Sequence, residues 1–228
     1  VEYVSAVIFT VLDPMKTNKI LIHDLFQDKY YQSFVMLESS GNDISRNYFS
    51  PEVTMKYIEE FEDMDSNDDG LLSPQDLFSL QGTKFTKAFV DRVFDVIGCD
   101  GNTDFCWYIR FRFMWDNVGM PWSNQIMFDI LDVDGNGEIT YFELNYFYRE
   151  IQKILMRDSR NNILQIPTLE SWMDEQFDRY GIPNSTITKE MFIKTDMIFL
   201  VRPLIDFFQF YTIEYEVNEV STSKGFKF

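Results

Sequence analysis

DVDGNGEITYFE, residues 132–143, sets oxygen-bearing side chains at alternating positions and then interrupts them with glycine. Counted from its first residue, the stretch has Asp132 at 1, Asp134 at 3, Asn136 at 5, Gly137 at 6, Thr140 at 9 and Glu143 at 12. A second stretch, DSNDDGLLSPQD at 65–76, falls on the same template. It has Asp65 at 1, Asn67 at 3, Asp69 at 5, Gly70 at 6, Ser73 at 9 and Asp76 at 12. Self-similarity of this kind is read before anything else, because it reveals a repeated structural unit.

The spacing is that of an EF-hand loop, and each position has a physical reason. Calcium is a hard cation that takes about six to eight oxygen ligands. The side chains at 1, 3, 5 and 12 supply carboxylate or amide oxygens, and position 9 contributes Ser73 or Thr140. Position 7, Leu71 or Glu138, supplies a backbone carbonyl. Glycine at 6 allows a turn that other residues resist. The apolar residue at 8, Leu72 or Ile139, suits a short β-bridge to a neighbouring loop. Asp76 is one methylene shorter than the usual Glu, which makes bidentate ligation harder. The 65–76 loop is therefore expected to bind calcium more weakly, or to tolerate Mg²⁺.

The flanks read as helices. Ser50 before Pro51 and Ser73 before Pro74 are N-cap and first-turn signals. Tyr57, Ile58 and Phe61 stripe the helix before the first loop, and Ile126, Ile130 and Leu131 the helix before the second. Leu144, Phe147, Ile151 and Ile154 form the exit stripe after the second loop, and Val1, Val4, Ile8, Val11 and Leu12 give the chain's start a helical face.

Three weaker echoes lack a ligand series: 13–24 and 180–191 keep an apolar residue at position 8, Ile20 and Ile187, while 96–107 keeps only the shape, with Phe105 and Tyr108 at the next core positions. Unpaired loops leave bridge groups unsatisfied. The 65–76 hand is therefore expected to pair with 96–107, and the 132–143 hand with 180–191. This predicts a mainly α fold of tandem EF-hand pairs with short β-bridges between paired loops. The divisions are 1–46, a degenerate hand region; 47–120, the first pair; and 121–228, the second pair with a C-terminal helix. The hand at 13–24 has no partner here, and the chain reads as a piece of a longer protein.

The 228 residues include 20 Lys and Arg against 37 Asp and Glu, a net charge of −17. That balance argues against nucleic acid and anionic membrane as partners, since phosphate binding needs clustered Lys and Arg. It suits divalent cations or a basic protein surface. The run from Met197 to Val201 is far too short to span a bilayer. Two cysteines, Cys99 and Cys106, without a CxxC pattern, fit a reduced intracellular protein. The sequon at 184–186 stands without other signs of secretion. One histidine, His23, excludes a zinc hydrolase or a binuclear metallophosphatase. Phosphate-loop and serine-elbow motifs are absent, and the organised carboxylates belong to the loops. The chain reads as no enzyme.

The uneven spacing of the hands is unlike calmodulin. It resembles the B'' (B double prime) family of regulatory subunits of type 2A protein phosphatase. The stretches similar to that family are FTVLDPMKTNKILIHDL (9–25), NYFSPEVTMKYIEEFEDMDSNDDGLLSPQDL (47–77), FVDRVFD (89–95), LDVDGNGEITYFELNYFYREI (131–151) and LVRPLIDFFQFYTIEYEV (200–217). The resemblance implies a non-catalytic subunit that binds the scaffold and catalytic subunits, directs choice among phosphoprotein substrates, and is tightened by calcium. It implies a cytoplasmic location, extending to the nucleus, the centrosome or the cytoskeleton. Two other readings compete. One is a stand-alone calcium sensor that exposes an apolar groove for target helices, favoured by the 11 Met. The other is a helical interaction module whose calcium only stabilises the fold.

Overall fold

The structure is a computed structural model that describes residues 1–37, 47–98, 103–157, 167–182, 186–194 and 197–216. Parts of the 96–107 and 180–191 segments, at 99–102 and 183–185, lie outside the described residues, as do Cys99, two residues of the sequon and the last residue of the 200–217 stretch. The described helices are α1 (Glu2–Leu12), α2 (Ile22–Gln27), α3 (Lys29–Met36), α4 (Pro51–Met64), α5 (Pro74–Leu77), α6 (Lys87–Ile97), α7 (Phe105–Asp116), α8 (Pro121–Leu131), α9 (Tyr141–Arg157), α10 (Leu169–Tyr180), α11 (Lys189–Lys194), α12 (Ile198–Ile205) and α13 (Phe207–Tyr211). A π-helical turn, Thr212–Glu216, follows α13. Two short strands, β1 (Glu138–Ile139) and β2 (Ile187–Thr188), complete the elements. The fold is mainly α, with helix–loop–helix hands joined by short bridges. No described helix is long and apolar enough to cross a membrane.

The residues sort into two compact units, one of 1–80 with 93–127 and the other of 81–92 with 128–228. In the first unit, α7 is the centre. Asp104 caps it by accepting from the Trp107 amide at 3.0 Å. Trp107, Tyr108, Ile109, Phe111, Phe113, Met114 and Trp115 are all buried, so nearly every face of this helix is apolar and covered. The sequence placed only Phe105 and Tyr108 on its core face.

α1 and α4 both pack on α7. The covered face of α1 is Tyr3, Val7, Ile8, Thr10 and Val11, while Val1 is fully exposed. The register differs from the sequence expectation because Tyr3 turns inward. Its ring stacks on Tyr57 at 5.6 Å, and its hydroxyl donates to the Tyr48 carbonyl at 2.9 Å. An aromatic with a polar tip is buried where that tip finds a partner.

A polar network ties α4 to α7. The Glu60 carboxylate accepts from the Tyr108 hydroxyl and from Arg112 Nε at 2.9 Å. Arg112 also pairs with Asp116, whose other oxygen accepts from the Tyr57 hydroxyl at 2.8 Å. Burial, reinforced by these carboxylates, pushes the Tyr57 and Tyr108 hydroxyls well above their ordinary range. The end of α4, where the 65–76 loop begins, is thereby fixed against α7, which follows the facing segment.

In the second unit, α9 packs on α12. Residues 84–86 run antiparallel to 205–207. Thr86 N donates to Ile205 O at 2.9 Å, and Phe207 N donates to Lys84 O at 2.9 Å. The buried Asp206 carboxylate accepts from Lys84 N at 3.1 Å and from Phe208 N at 3.0 Å, so it pins this bridge and caps α13 together. Burial raises its pKa, against the opposing pull of those amides and the nearby Arg202 charge.

Candidate metal centre

In the 132–143 loop the Asp132 carboxylate is the origin of the turn. One oxygen accepts from Gly135 N at 2.9 Å and Asn136 N at 3.1 Å, and the other from Gly137 N at 2.9 Å. Gly137, at position 6, has φ 85°, the left-handed region that glycine enters at no steric cost. Asn136 Oδ1 accepts from Glu138 N at 2.8 Å, and Asn136 Nδ2 donates to Asp134 Oδ2 at 3.0 Å. β1 then pairs antiparallel with β2, with Ile139 opposite Ile187 and Glu138 opposite Thr188. Ile139 and Ile187 are both buried.

Position 12 divides its two oxygens between two tasks. Glu143 Oε2 accepts from Thr140 N at 2.9 Å and from Thr140 Oγ at 2.7 Å, which closes the start of α9 as a capping box does. Glu143 Oε1 is buried and accepts no hydrogen bond, although the residue is fully enclosed. Carboxylate oxygens of Asp132, Asp134 and Glu143 all lie within 4.8 Å of one another. A buried charged oxygen without a donor is costly. Beside two further carboxylates, it fits a hard divalent cation that takes oxygen ligands. Asn136, Thr140 and the Glu138 carbonyl belong to the same turn.

The 65–76 loop follows the same plan at its start. Asp65 accepts from Asp69 N at 3.3 Å and Gly70 N at 2.7 Å, Gly70 has φ 76°, and Asp69 Oδ1 accepts from Leu71 N at 2.9 Å. Asn67 Nδ2 donates to Asp69 at 2.9 Å. Leu72 N donates to Thr103 O at 3.0 Å, so an interloop hydrogen bond links position 8 of one segment to position 8 of the other. Position 12 differs. Asp76 Oδ2 accepts from Ser73 N at 2.8 Å and Ser73 Oγ at 2.6 Å, and its Oδ1 accepts from Ser66 Oγ at 3.2 Å. Partial burial alone would raise its pKa. The Ser73 and Ser66 bonds outweigh that and hold the carboxyl below its ordinary value. Among the described residues only the 132–143 loop gathers three carboxylates, while Asp65, Asp69 and Asp76 do not converge in this way.

The 13–24 segment keeps the turn without the ligands. Asp13 accepts from Thr17 N at 2.8 Å, Thr17 Oγ at 2.9 Å and Asn18 N at 2.6 Å. Lys16, at position 4, points its ammonium at the carbonyls of Val96, Ile97 and Gly98 at 2.6–3.0 Å. Asp24, at position 12, is exposed beside His23.

Two contacts to the 132–143 hand carry no signal in the loop motif. Arg92, from α6, donates to the Asp129, Ile130 and Asp132 carbonyls. Lys189 Nζ pairs with the Asp129 carboxylate at 2.5 Å. The sequence marks Arg92 only as the basic residue of FVDRVFD.

No family model matches the chain. It is 29% identical over 174 residues to the gamma form of the B'' regulatory subunit of serine/threonine-protein phosphatase 2A from Bos taurus and from Homo sapiens, a match that covers 75% of this chain and 38% of either relative. It is 26% identical over 164 residues to the human alpha form, covering 65% of this chain and 14% of that one. The chain is a relative of the B'' regulatory subunits of protein phosphatase 2A. The B'' relatives are named as regulatory and not catalytic subunits. The chain spans well under half of their length. A chain of a solved PP2A PR70 holoenzyme, in a form labelled diCa, shares the fold, with a TM-score of 0.76 at 21% identity over 90% of this chain and 77% of that one.

Proposed function

We propose that this chain is the calcium-holding part of a non-catalytic regulatory subunit of protein phosphatase 2A. It docks on the scaffold and catalytic subunits and directs the enzyme toward phosphoprotein substrates, and calcium tightens that assembly. The observation that carries the cation reading is Glu143 Oε1, a buried carboxylate oxygen without a donor beside Asp132 and Asp134. The B'' relatives and the diCa PR70 holoenzyme support the rest.

Asp132, Asp134, Asn136 and Glu143 would hold Ca²⁺ with their side chains, aided by Thr140 and the Glu138 carbonyl. In the 65–76 loop Asp65, Asn67, Asp69, Ser73, Asp76 and the Leu71 carbonyl would do the same, with Mg²⁺ tolerated there. When bound, the cation neutralises the gathered carboxylates and joins the end of α8 to the start of α9. The chain's own part is to preform that geometry. Asp132 organises the turn, and Glu143 already caps α9 through its other oxygen.

The test is capture of the purified scaffold and catalytic subunits with this chain as bait, in calcium and in chelator. Capture in calcium that weakens in chelator supports the proposal. Equal capture in both conditions removes calcium from it, and no capture in either refutes the docking role for this chain.

A further inference from the structure

A helix end that presents a metal ligand must be held in place, and the α8 end is held by a side chain from another helix. The last turn of a helix leaves carbonyls without intrahelical partners and carries a partial negative charge. Arg92 Nη2 donates to the Asp129 and Asp132 carbonyls, each at 3.0 Å, and its Nε donates to the Ile130 carbonyl at 3.0 Å. Asp132 is thus gripped at its carbonyl by Arg92, while its carboxylate organises the loop through Gly135, Asn136 and Gly137. A planar guanidinium can span three carbonyls, which a single ammonium nitrogen does less well.

The base of this clamp is itself fixed. Phe89, Val90 and Val93, its neighbours along α6, are completely buried. The start of α6 is stitched to 205–207 by the Thr86–Ile205 and Phe207–Lys84 hydrogen bonds.

We propose that Arg92 is a positioning residue for the 132–143 loop, setting the place of Asp132 before any cation arrives. The proposal rests on the reading of 132–143 as a calcium loop. Two effects oppose each other here. The positive charge repels a dication, while the three hydrogen bonds hold the ligand in its working place. Groups that orient metal ligands from behind typically account for about 10–100-fold in affinity, so positioning outweighs repulsion.

The test is a calorimetric calcium titration of the chain in an Asp65→Ala background, where the 132–143 hand reports alone, with and without Arg92→Met and Arg92→Lys. Amide hydrogen exchange at Gly135, Asn136 and Gly137 is followed in the calcium-free protein. Arg92→Met is expected to weaken calcium by about tenfold and to speed exchange of those three amides, with Arg92→Lys in between. In an Asp132→Ala background, Arg92→Met is expected to leave the affinity of the 65–76 hand unchanged. Affinity held within about twofold, or tighter binding, overturns the proposal. If Arg92→Met does not fold, Arg92→Lys decides, and parent-like affinity and exchange in that variant overturn it equally. A parent that binds no calcium overturns the calcium reading itself and this proposal with it.

Discussion

Glu143→Gln separates the two tasks of position 12 in one substitution. In the calcium-free protein Glu143 is an enclosed carboxylate with two donors on Oε2 and none on Oε1. The glutamine carbonyl can keep both Thr140 bonds. What is lost is the extra strength of hydrogen bonds to a charged acceptor, and what is relieved is a buried charge with an oxygen left bare. Charged hydrogen bonds contribute roughly 1 kcal/mol more than neutral ones, and the bare oxygen costs about 1–3 kcal/mol. The variant is therefore expected to be more stable than the parent in chelator by about 1 kcal/mol, or roughly 2–4 °C in Tm for a chain of this size. In calcium the order reverses. At a hundredfold excess over Kd a bound ion adds about 2.7 kcal/mol, roughly 5–10 °C, and the variant forfeits most of that gain. Differential scanning calorimetry in chelator and in saturating calcium reads both signs. A variant less stable than its parent in chelator, or one that keeps the full calcium shift, would refute the reasoning about the bare oxygen.

Asp76→Glu lengthens position 12 of the other loop and is expected to tighten calcium there by about tenfold, roughly 1.4 kcal/mol, as measured by titration in an Asp132→Ala background. Ile187→Ala empties a fully buried bridge position opposite Ile139. It is expected to cost about 3 kcal/mol, seen as a fall of roughly 6–12 °C in Tm without calcium. The Asp13 carboxyl is held below its ordinary pKa, because the bonds from Thr17, Asn18 and Lys19 outweigh its burial. A depressed folded pKa stabilises above the unfolded value and is lost as pH falls through the folded one. Asp13→Asn is therefore expected to lower stability near neutral pH, with the gap to the parent closing as pH falls below the ordinary carboxylate range in urea titrations. A gap that stays constant with pH refutes that origin.

The two loops were legible as turns because each draws its hydrogen-bonding partners from one short stretch, so the required residue types stand at fixed spacing. Ser50 and Ser73 announced their helices for a similar reason, since a cap acts within three residues. Asp65 and Asp132 lie where that spacing puts them, at the origin of each turn. Glu143 was legible as position 12 of its loop, but the division of its two oxygens was not, because that depends on burial. The contacts of Arg92 and the 84–86 bridge were not legible. The Lys84–Asp206 contact joins residues 122 apart, and single hydrogen bonds at such distances leave no periodic trace. On α1 the expectation caught Ile8 and Val11 but not Tyr3, which is placed by Tyr48 and Tyr57 and not by its own helix.

The bridge between 84–86 and 205–207 has a practical consequence for anyone dissecting the molecule. The unit that carries the 132–143 loop is assembled from two separate lengths of chain. A fragment begun at 121, the natural cut on sequence grounds, would discard the segment that supplies an amide to Asp206 and the helix that bears Arg92. Its 205–207 edge would be left bare, with an enclosed carboxylate short of a donor. A fragment begun at 81 retains both. Fragment boundaries for binding or crystallisation are therefore best drawn upstream of α6, even though the first loop is lost with either cut.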